Sequence, residues 1–287
     1  MSGRNSEVQM AAKPWALINL PPFPAVAARV MQLLSQDGSG LKELTDVIRT
    51  DVAFSSELLT LANCALFATS AEIKTVLQAA ALLGLNRVKG IAMTIGLRSY
   101  LTDSMKMPAL LASWRHSLAC AIVCEDLASA AFMERDAAYL VGLLHDVGRL
   151  ALAMIEPLKY RELMLEAEER ATDVRARERE LFGLDHCEAG RWMAEQWRLP
   201  QHFAEVAARH HEPPSEKFDL VTLVHFGCLL ADAIGFAAVH WPDSPKFEDV
   251  LQQLPAAVSC RLKPSRDELT LKVATKINSM DGGLPLR

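Results

Sequence analysis

The sequence predicts an all-α fold. Apolar residues recur at the helical period of about 3.6 residues along nearly all of the 287-residue chain, and no convincing run alternates with period two. Proline and glycine interrupt the periodic stretches, as expected for helices joined by loops. Apolar residues make up 51% of the chain, which is ample for a full helical core.

The first predicted helices follow Pro22 and Pro24, which suit the entry into a helix. Ser39 and Asp51 are predicted to be the N-caps of the next two helices. The apolar faces of these three helices are Ala27, Val30, Met31 and Leu34, then Leu41, Leu44 and Ile48, then Phe54, Leu58 and Leu61.

A further helix over Val76–Leu83 is predicted to end at Gly84 with a left-handed C-cap. Asn86 is predicted to cap the helix that follows, which extends to about Leu101.

The segment from Lys106 to Pro108 is predicted to join two helical subdomains, residues 15–106 and residues 107–287. Residues 1–14 are polar enough for a disordered tail.

Ser265 and Glu268 form a capping box for the last helix, which extends to about Asn278. The other helices predicted in the second subdomain are Trp114–Ala131, Ala137–Met154, Lys159–Glu169, His186–Trp197, Gln201–Arg209 and Phe218–Gly235.

Charge and composition exclude several classes of protein. The net charge of −5 argues against a protein dominated by binding to nucleic acid or to a membrane surface, since both need a basic face. Met1–Lys13 contains no apolar segment of a signal peptide, and no stretch reaches eighteen uninterrupted apolar residues. The six cysteines form no CxxC pair and are interpreted as reduced, mostly buried thiols. We therefore expect a cytoplasmic protein without a membrane partner.

Histidines of the second subdomain, with one aspartate, form a candidate metal site. The candidate ligands lie on several predicted helices or helix ends and are His116, His145, Asp146, His186, His210 and His211. A helical protein must gather metal ligands from several helices, because one helix face offers only residues three or four apart. Nitrogen and oxygen donors suit Fe, Mn, Co, Ni or Zn rather than an all-oxygen Mg or Ca site. We expect one or two divalent transition metal ions, and Asp146 could bridge two of them.

Family resemblance rests on several motifs. Gly142-Leu-Leu-His-Asp-Val-Gly-Arg149 resembles the signature of HD-superfamily phosphohydrolases. Segments that resemble one branch, the HDOD domain family, follow in chain order: Leu20-Pro-Pro-Phe-Pro24, Leu61-Ala-Asn63, Leu82-Leu-Gly-Leu-Asn-Arg87, Trp114-Arg-His116, Phe182-Gly-Leu-Asp-His186, Trp197-Arg-Leu-Pro200 and His210-His-Glu-Pro213. This resemblance covers roughly residues 15 to 280 and implies an all-helical fold and a role in bacterial signal transduction.

The same positions are similar to the HD-GYP cyclic-dinucleotide phosphodiesterases, with departures. Pro213-Pro-Ser-Glu-Lys217 stands in place of their glycine- and tyrosine-bearing loop, and Arg149 replaces their lysine. Arginine could hold a phosphate but is a poor proton donor. Their late-helix aspartate aligns with Cys228, one turn before Asp232, so either residue is a candidate to complete the site. Ala112 stands where a further glutamate would be, which argues against a trinuclear site.

Functions of different classes remain open at this point. The leading hypothesis is a regulatory module of HDOD type that acts through contacts with a signalling protein and has a structural, sensory or vestigial metal site. The alternative is a metal-dependent phosphohydrolase acting on a nucleotide, such as a cyclic dinucleotide, with Asp146 and Arg149 as catalytic residues and Asp232 among the metal ligands. DNA binding through the helices that meet at Gly84 is disfavoured by the acidic balance. His202, His225 and His240 are interpreted as structural.

Overall fold

The computed structural model describes residues 14–34, 40–63, 72–101, 107–239, 244–262 and 265–280. Regular structure in these ranges is helical, without a strand, which confirms the predicted all-α fold. A short 3-10 helix spans Trp15–Leu17. The α-helices are α1 (Ala25–Leu34), α2 (Leu41–Arg49), α3 (Val52–Ala62), α4 (Val76–Leu83), α5 (Leu85–Leu101), α6 (Pro108–Ala131), α7 (Arg135–Leu144), α8 (Val147–Ile155), α9 (Pro157–Arg170), α10 (Val174–Phe182), α11 (His186–Gln196), α12 (Gln201–Arg209), α13 (Leu220–Ala233), α14 (Phe247–Gln253), α15 (Ala256–Ser259) and α16 (Arg266–Met280).

Two of the predicted N-terminal caps are confirmed. The Asp51 carboxylate accepts a hydrogen bond from the Phe54 amide at 3.0 Å, which begins α3. Ser265 and Glu268 form the reciprocal pair of a capping box, with the Ser265 amide 2.8 Å from Glu268 Oε2 and the Glu268 amide 3.3 Å from Ser265 Oγ. The predicted cap Ser39 lies outside the described residues.

The junction of α4 and α5 is tighter than the sequence predicts. Gly84 ends α4 with a positive φ of 89°, but its ψ of 154° lies outside the left-handed helical region. Since α5 begins at Leu85, Asn86 lies inside the first turn, and the prediction of Asn86 as the cap is wrong.

The apolar run predicted as a single helix, Ala137–Met154, is divided between α7 and α8. His145 Nδ1 lies 2.7 Å from the Gly142 carbonyl oxygen, and Asp146 leaves the helical region at φ −107° and ψ 20°. In a continuous helix that carbonyl would accept the amide hydrogen of Asp146, so the imidazole replaces a helical hydrogen bond. The break places His145 and Asp146 at the corner between the two helices.

One stretch of the described residues, Arg135–Ile155, has the length and the mean hydropathy of 1.4 that would suit a membrane span. It consists of α7 and α8, and 89% of its apolar window is buried inside the fold. We therefore interpret it as part of the protein core.

Helix α6 lies at the centre of the second half. It packs along α7 and α13, while α8 packs on α11 and α11 packs on α12. Trp114 of α6, Phe226 of α13 and Tyr160 of α9 are fully buried between these helices. Helices α1 to α5 pack on one another, and α5 also contacts α7. The corner between α7 and α8 is thereby surrounded by α6, α11, α12 and α13.

Glu125 of α6 forms ion pairs with residues of three other helices. Its carboxylate lies 2.6 Å from Arg87 of α5, 2.7 Å from Arg135 of α7 and 3.4 Å from Lys276 of α16. Burial raises the pKa of Glu125, but these cations outweigh it and lower the pKa below its ordinary value. A buried carboxylate is tolerated when it is paired in this way, so Arg87 has a structural partner in the core.

Gly148, the glycine of the histidine-aspartate motif, is where α8 approaches α11 closely. A Cβ atom on Gly148 would lie 2.0 Å from the His186 carbonyl oxygen and 2.4 Å from the Gly190 nitrogen. Backbone atoms of a packed helix cannot move aside as a flexible side chain can, so this position requires a residue without a side chain.

We expect Gly148→Ala to lower the free energy of unfolding by about 3 kcal/mol, because the added methyl group overlaps the backbone of α11. Urea unfolding followed by circular dichroism measures the change. Gly40→Ala is the control, since Gly40 has φ −81° and a Cβ atom there meets nothing within 4 Å. The control should cost no more than about 1 kcal/mol, and equal stability of the two variants would contradict the proposed close approach.

Candidate metal centre

The predicted ligands line one cavity of about 410 Å³. Among them, His116, His145, His186 and His210 are buried. The cavity is lined by all the residues that the sequence predicts for the site: His116, His145, Asp146, Arg149, His186, His210, His211, Cys228 and Asp232. The fold thus brings side chains from α6, the corner between α7 and α8, α11, the end of α12, and α13 to one place.

Backbone carbonyl groups fix two of the imidazole rings. His145 Nδ1 lies 2.7 Å from the Gly142 oxygen, and His210 Nδ1 lies 3.0 Å from the Ala207 oxygen. A carbonyl oxygen can only accept, so Nδ1 donates in both rings and Nε2 is the nitrogen left for a ligand. The Nε2 atom of His210 is buried and has no hydrogen-bond partner among the described residues.

Carboxylates lie behind the other two buried rings. His116 Nδ1 is 3.2 Å from Asp232 Oδ1 and 3.0 Å from the Phe236 carbonyl oxygen, and His186 Nδ1 is 2.6 Å from Glu178 Oε2. A carboxylate in this position orients an imidazole and makes its other nitrogen a stronger metal ligand. Asp232, predicted as a ligand, therefore lies at the back of His116.

Three sets of donor atoms come close enough to share an ion, and within each set the atoms lie within 4.8 Å of one another. The sets are His145, Asp146 and His210; His116, His145 and Cys228; and His186, Cys187, His210 and His211. His145 belongs to the first and second sets and His210 to the first and third, so the three sets form one continuous array. Asp232 belongs to none of them within the described part of the chain.

Arg149 occupies one side of Asp146. Its Nε donates to Asp146 Oδ2 at 2.5 Å, and its Nη2 lies 3.2 Å from His186 Nε2. Asp146 Oδ1 is buried and lacks a hydrogen-bond partner among the described residues. Burial raises the pKa of Asp146, but Arg149 outweighs it and holds that pKa well below its usual range. His186 Nε2 lies 3.7 Å from this oxygen, too far for a hydrogen bond. An ionised, buried oxygen without a hydrogen bond is costly, so the site fits a metal ion.

Glu178 is a residue of the site that the sequence does not predict. Its Oε2 accepts hydrogen bonds from the backbone amide of His186 at 2.9 Å and from His186 Nδ1, while its Oε1 accepts from the Tyr160 hydroxyl at 2.6 Å. Burial and Arg149 lower the pKa of His186, but Glu178 and Asp146 outweigh them and raise it to about 10. The negative charge that holds a proton on this ring would equally hold a metal cation.

Periodicity does not predict α10, the helix that carries Glu178, because five of its nine residues are charged. Such a segment is typical of a solvated helix or a loop. The sequence shows only that Glu178 lies eight residues before His186. That spacing does not indicate a contact until the fold is known.

The mouth of the cavity carries His211 and Arg175. His211 is exposed, and its Nε2 lies 2.9 Å from His186 Nε2. Arg175 donates to the buried Asp185 at 2.8 Å, yet 34% of its side chain is exposed. A positive charge therefore stands at the rim where a small anion would enter.

Comparisons with known proteins identify the family and the fold. The HDOD domain matches residues 20–213. A solved HDOD domain protein of unknown function from Geobacter sulfurreducens is similar with a TM-score of 0.70 and 23% identity, covering 92% of each chain. A solved protein from Shewanella amazonensis, provisionally named a phosphohydrolase, gives a TM-score of 0.68 and 20% identity, covering 95% of this chain and 99% of that one. These structural likenesses establish the fold.

An uncharacterized protein of Treponema pallidum is 23% identical over 234 residues. The match covers 78% of this chain but 45% of that protein, so this chain spans about half the length of the relative.

We expect Glu178→Gln to weaken the binding of a divalent transition metal by about tenfold, because it removes a buried negative charge next to His186, which lies in one ligand set with His210. Isothermal titration with Zn²⁺ or Mn²⁺ measures the dissociation constant. Glu162→Gln, an exposed glutamate of the neighbouring α9, is the matched control and should bind as the wild type does. Equal affinity of both variants would show that His186 needs no carboxylate behind it.

Proposed function

Because the chain belongs to the HDOD domain family, we propose that it is a regulatory signal-transduction module that binds a divalent transition metal ion and acts through contacts with another protein. The observation that carries the metal part is a pair of buried acceptor atoms without hydrogen-bond partners, Asp146 Oδ1 and His210 Nε2, at the centre of the histidine array. Nitrogen and oxygen donors of this kind bind Fe, Mn, Co, Ni or Zn.

His145, Asp146 and His210 would hold the ion, which would bind the Oδ1 side of the ionised Asp146 carboxylate, where no hydrogen bond is made and His186 Nε2 lies 3.7 Å away. Arg149 already neutralises the Oδ2 side. A second ion bridged by Asp146 would have to displace the guanidinium, so the arrangement favours one ion over two.

The position of Arg149 also favours regulation over hydrolysis. Its guanidinium is buried and its nitrogens point to Asp146, His186 and the Tyr160 hydroxyl. An arginine engaged in this way does not offer its planar fork to a phosphate group.

Nucleic-acid binding receives little support from the helices that meet at Gly84. Arg87 is paired with Glu125, and Lys89 is buried with its Nζ donating to the Leu33 carbonyl at 3.0 Å. These cations of α5 are thus committed to the interior of the protein, whereas phosphate contacts need exposed cations.

A groove bordered by α2, α3 and α4 is suited to a protein contact. Val52 is 82% exposed and Leu77 is 52% exposed, and both line the groove together with Arg49 and Lys74. Exposed apolar side chains grouped beside charged ones are typical of protein-binding surfaces.

We expect the protein, purified without a tag or chelator, to contain close to one equivalent of a transition metal. The double variant His145→Ala/Asp146→Ala should contain little metal, because it loses two adjacent ligands. Elemental analysis by mass spectrometry measures both. His202→Ala is the control, since His202 lies on α12 outside the array. If wild type and double variant remain equally metal-free after soaking with Fe, Mn, Co, Ni and Zn, the proposed metal centre is wrong.

Hydrolysis of a phosphodiester is the second candidate function. The observation in its favour is that the cavity is open, with Arg175 and the exposed His211 at its mouth, where a nucleotide phosphate could enter. A bound metal would then polarise the phosphoryl group, which is the usual chemistry of metal phosphohydrolases.

We expect the metal-loaded protein to hydrolyse bis(p-nitrophenyl) phosphate and cyclic dinucleotides no faster than the Asp146→Asn variant, because Arg149 is not available to a phosphate. Release of p-nitrophenol and chromatography of the nucleotides measure the rates. The exposed Asp249→Asn serves as a matched control. Turnover that disappears in Asp146→Asn and persists in Asp249→Asn would establish the hydrolase and overturn the regulatory proposal.

A further inference from the structure

We propose that Cys228 and His116 complete the metal site, so that a thiolate binds the ion and the site selects Zn²⁺ or Co²⁺ over Mn²⁺. This inference rests on the metal centre proposed above and adds a ligand of a different chemical class to it.

His145 links the two parts of this site. Its Nε2 belongs both to the set with Asp146 and His210 and to the set with His116 and Cys228. One nitrogen lone pair binds one ion, so an ion on His145 would draw its other ligands from these two sets.

The distance between His145 and Cys228 is that of two ligands of one ion. Cys228 Sγ lies 3.3 Å from His145 Nε2. Zinc–nitrogen bonds of about 2.0–2.1 Å and zinc–sulfur bonds of about 2.3 Å separate two neighbouring donors by about 3.3–3.6 Å at bond angles near tetrahedral. The thiol points at the lone pair that would bind the ion, so little movement is needed for both atoms to share it.

His116 presents its remaining nitrogen to the same place. Its Nδ1 is occupied by the Phe236 carbonyl and by Asp232, which leaves Nε2 as the ligand atom. The donor atoms of His116, His145 and Cys228 lie within 4.8 Å of one another, and all three residues are buried. Asp232 is then a positioning residue, which acts on the ion through the ring of His116.

Cys228 lies beside two further thiols, and Cys120 together with burial raises the pKa of the Cys228 thiol, so it keeps its proton until an ion binds. Cys120 Sγ lies 3.7 Å from Cys228 Sγ and can donate its hydrogen to it, and Cys124 Sγ lies 3.7 Å from Cys120. The adjacent Gly227 allows the approach of α13 to α6, since a Cβ atom there would lie 2.5 Å from Cys124 Sγ. On metal binding the Cys228 thiol loses its proton to the buffer, and the sulfur lone pair forms the bond to the ion.

A ligand set of two or three imidazoles, a carboxylate and a thiolate is softer than a set of imidazoles and carboxylates alone. Thiolate favours Zn²⁺ and Co²⁺, whereas Mn²⁺ favours oxygen donors. Cys228 therefore decides which metal the site selects.

Cobalt substitution tests the inference, because a thiolate bound to Co²⁺ gives an intense charge-transfer band in the near ultraviolet that nitrogen and oxygen ligands do not give. The full-length protein, freed of metal, is titrated with Co²⁺ and its absorption spectrum is recorded. We expect the band in the wild type and its loss in Cys228→Ser. Zn²⁺ affinity should fall by about tenfold or more in that variant, at least the effect of an outer-shell residue.

Cys187→Ser is the matched control, because Cys187 is also buried and belongs to the separate set with His186. It should keep the band. Cobalt that binds stoichiometrically to the wild type without the band, or a band lost in Cys187→Ser rather than in Cys228→Ser, would overturn the inference and leave the metal centre standing. Binding of neither Co²⁺ nor Zn²⁺ would overturn both. If Cys228→Ser fails to fold, which circular dichroism detects, Cys228→Ala takes its place, and absence of the band from the wild-type spectrum overturns the inference in either case.

Discussion

Each of the four buried histidines is held at Nδ1 by an oxygen atom, and this constraint determines what the cavity can bind. For His145 and His210 the oxygen is the carbonyl three residues earlier, and both residues stand at the C-terminal end of a helix, α7 and α12. The last carbonyls of a helix have no amide partner within it, so they are free to accept from a side chain. The same hydrogen bonds end the two helices and turn both Nε2 atoms into the array, so the fold itself holds these candidate ligands in place.

This geometry depends in turn on how closely two helices approach. His186 begins α11, and its carbonyl lies against Gly148 in the first turn of α8. Any larger residue at that position would move α8, and with it Asp146, away from His186. The glycine of the motif is therefore required by packing, two residues after the aspartate whose position it secures. Farther away, Glu125 holds the N-terminal helices against α6 and α7 through Arg87, so the two halves share an ionic contact as well as an apolar core.

The sequence predicts the fold and the candidate ligands that line the cavity, but not the contact that each of these side chains makes. Helical periodicity predicts α4 and α12 to the residue, since Gly84 ends the first and Pro200 precedes the second. It cannot predict the break at His145, because the apolar pattern continues across it and the cause is a single side-chain hydrogen bond. The candidate ligands converge on one cavity, as the prediction requires of a metal site. Glu178 could not be predicted as a residue of the site, because it belongs there only through its hydrogen bond to His186, which lies eight residues later beyond a loop. Asp232 and Cys228 lie one turn apart, and the sequence cannot distinguish their contacts. In the structure Cys228 contacts His145, whereas Asp232 lies behind His116.

Arg149 bears most directly on the choice between a regulator and a hydrolase. A pair of divalent ions bridged by Asp146 would need both carboxylate oxygens and the Nε2 atom of His186. Arg149 holds Oδ2 at 2.5 Å and approaches His186 Nε2 to 3.2 Å. Its charge is permanent, because a guanidinium does not lose its proton in proteins, so a second ion would meet a fixed cation in a buried site where repulsion is strong. Under the proposed metal binding, the chain would supply one cation of its own and leave Oδ1 for one ion from solution. Such a site would not offer a phosphate the two metals that such hydrolysis commonly uses.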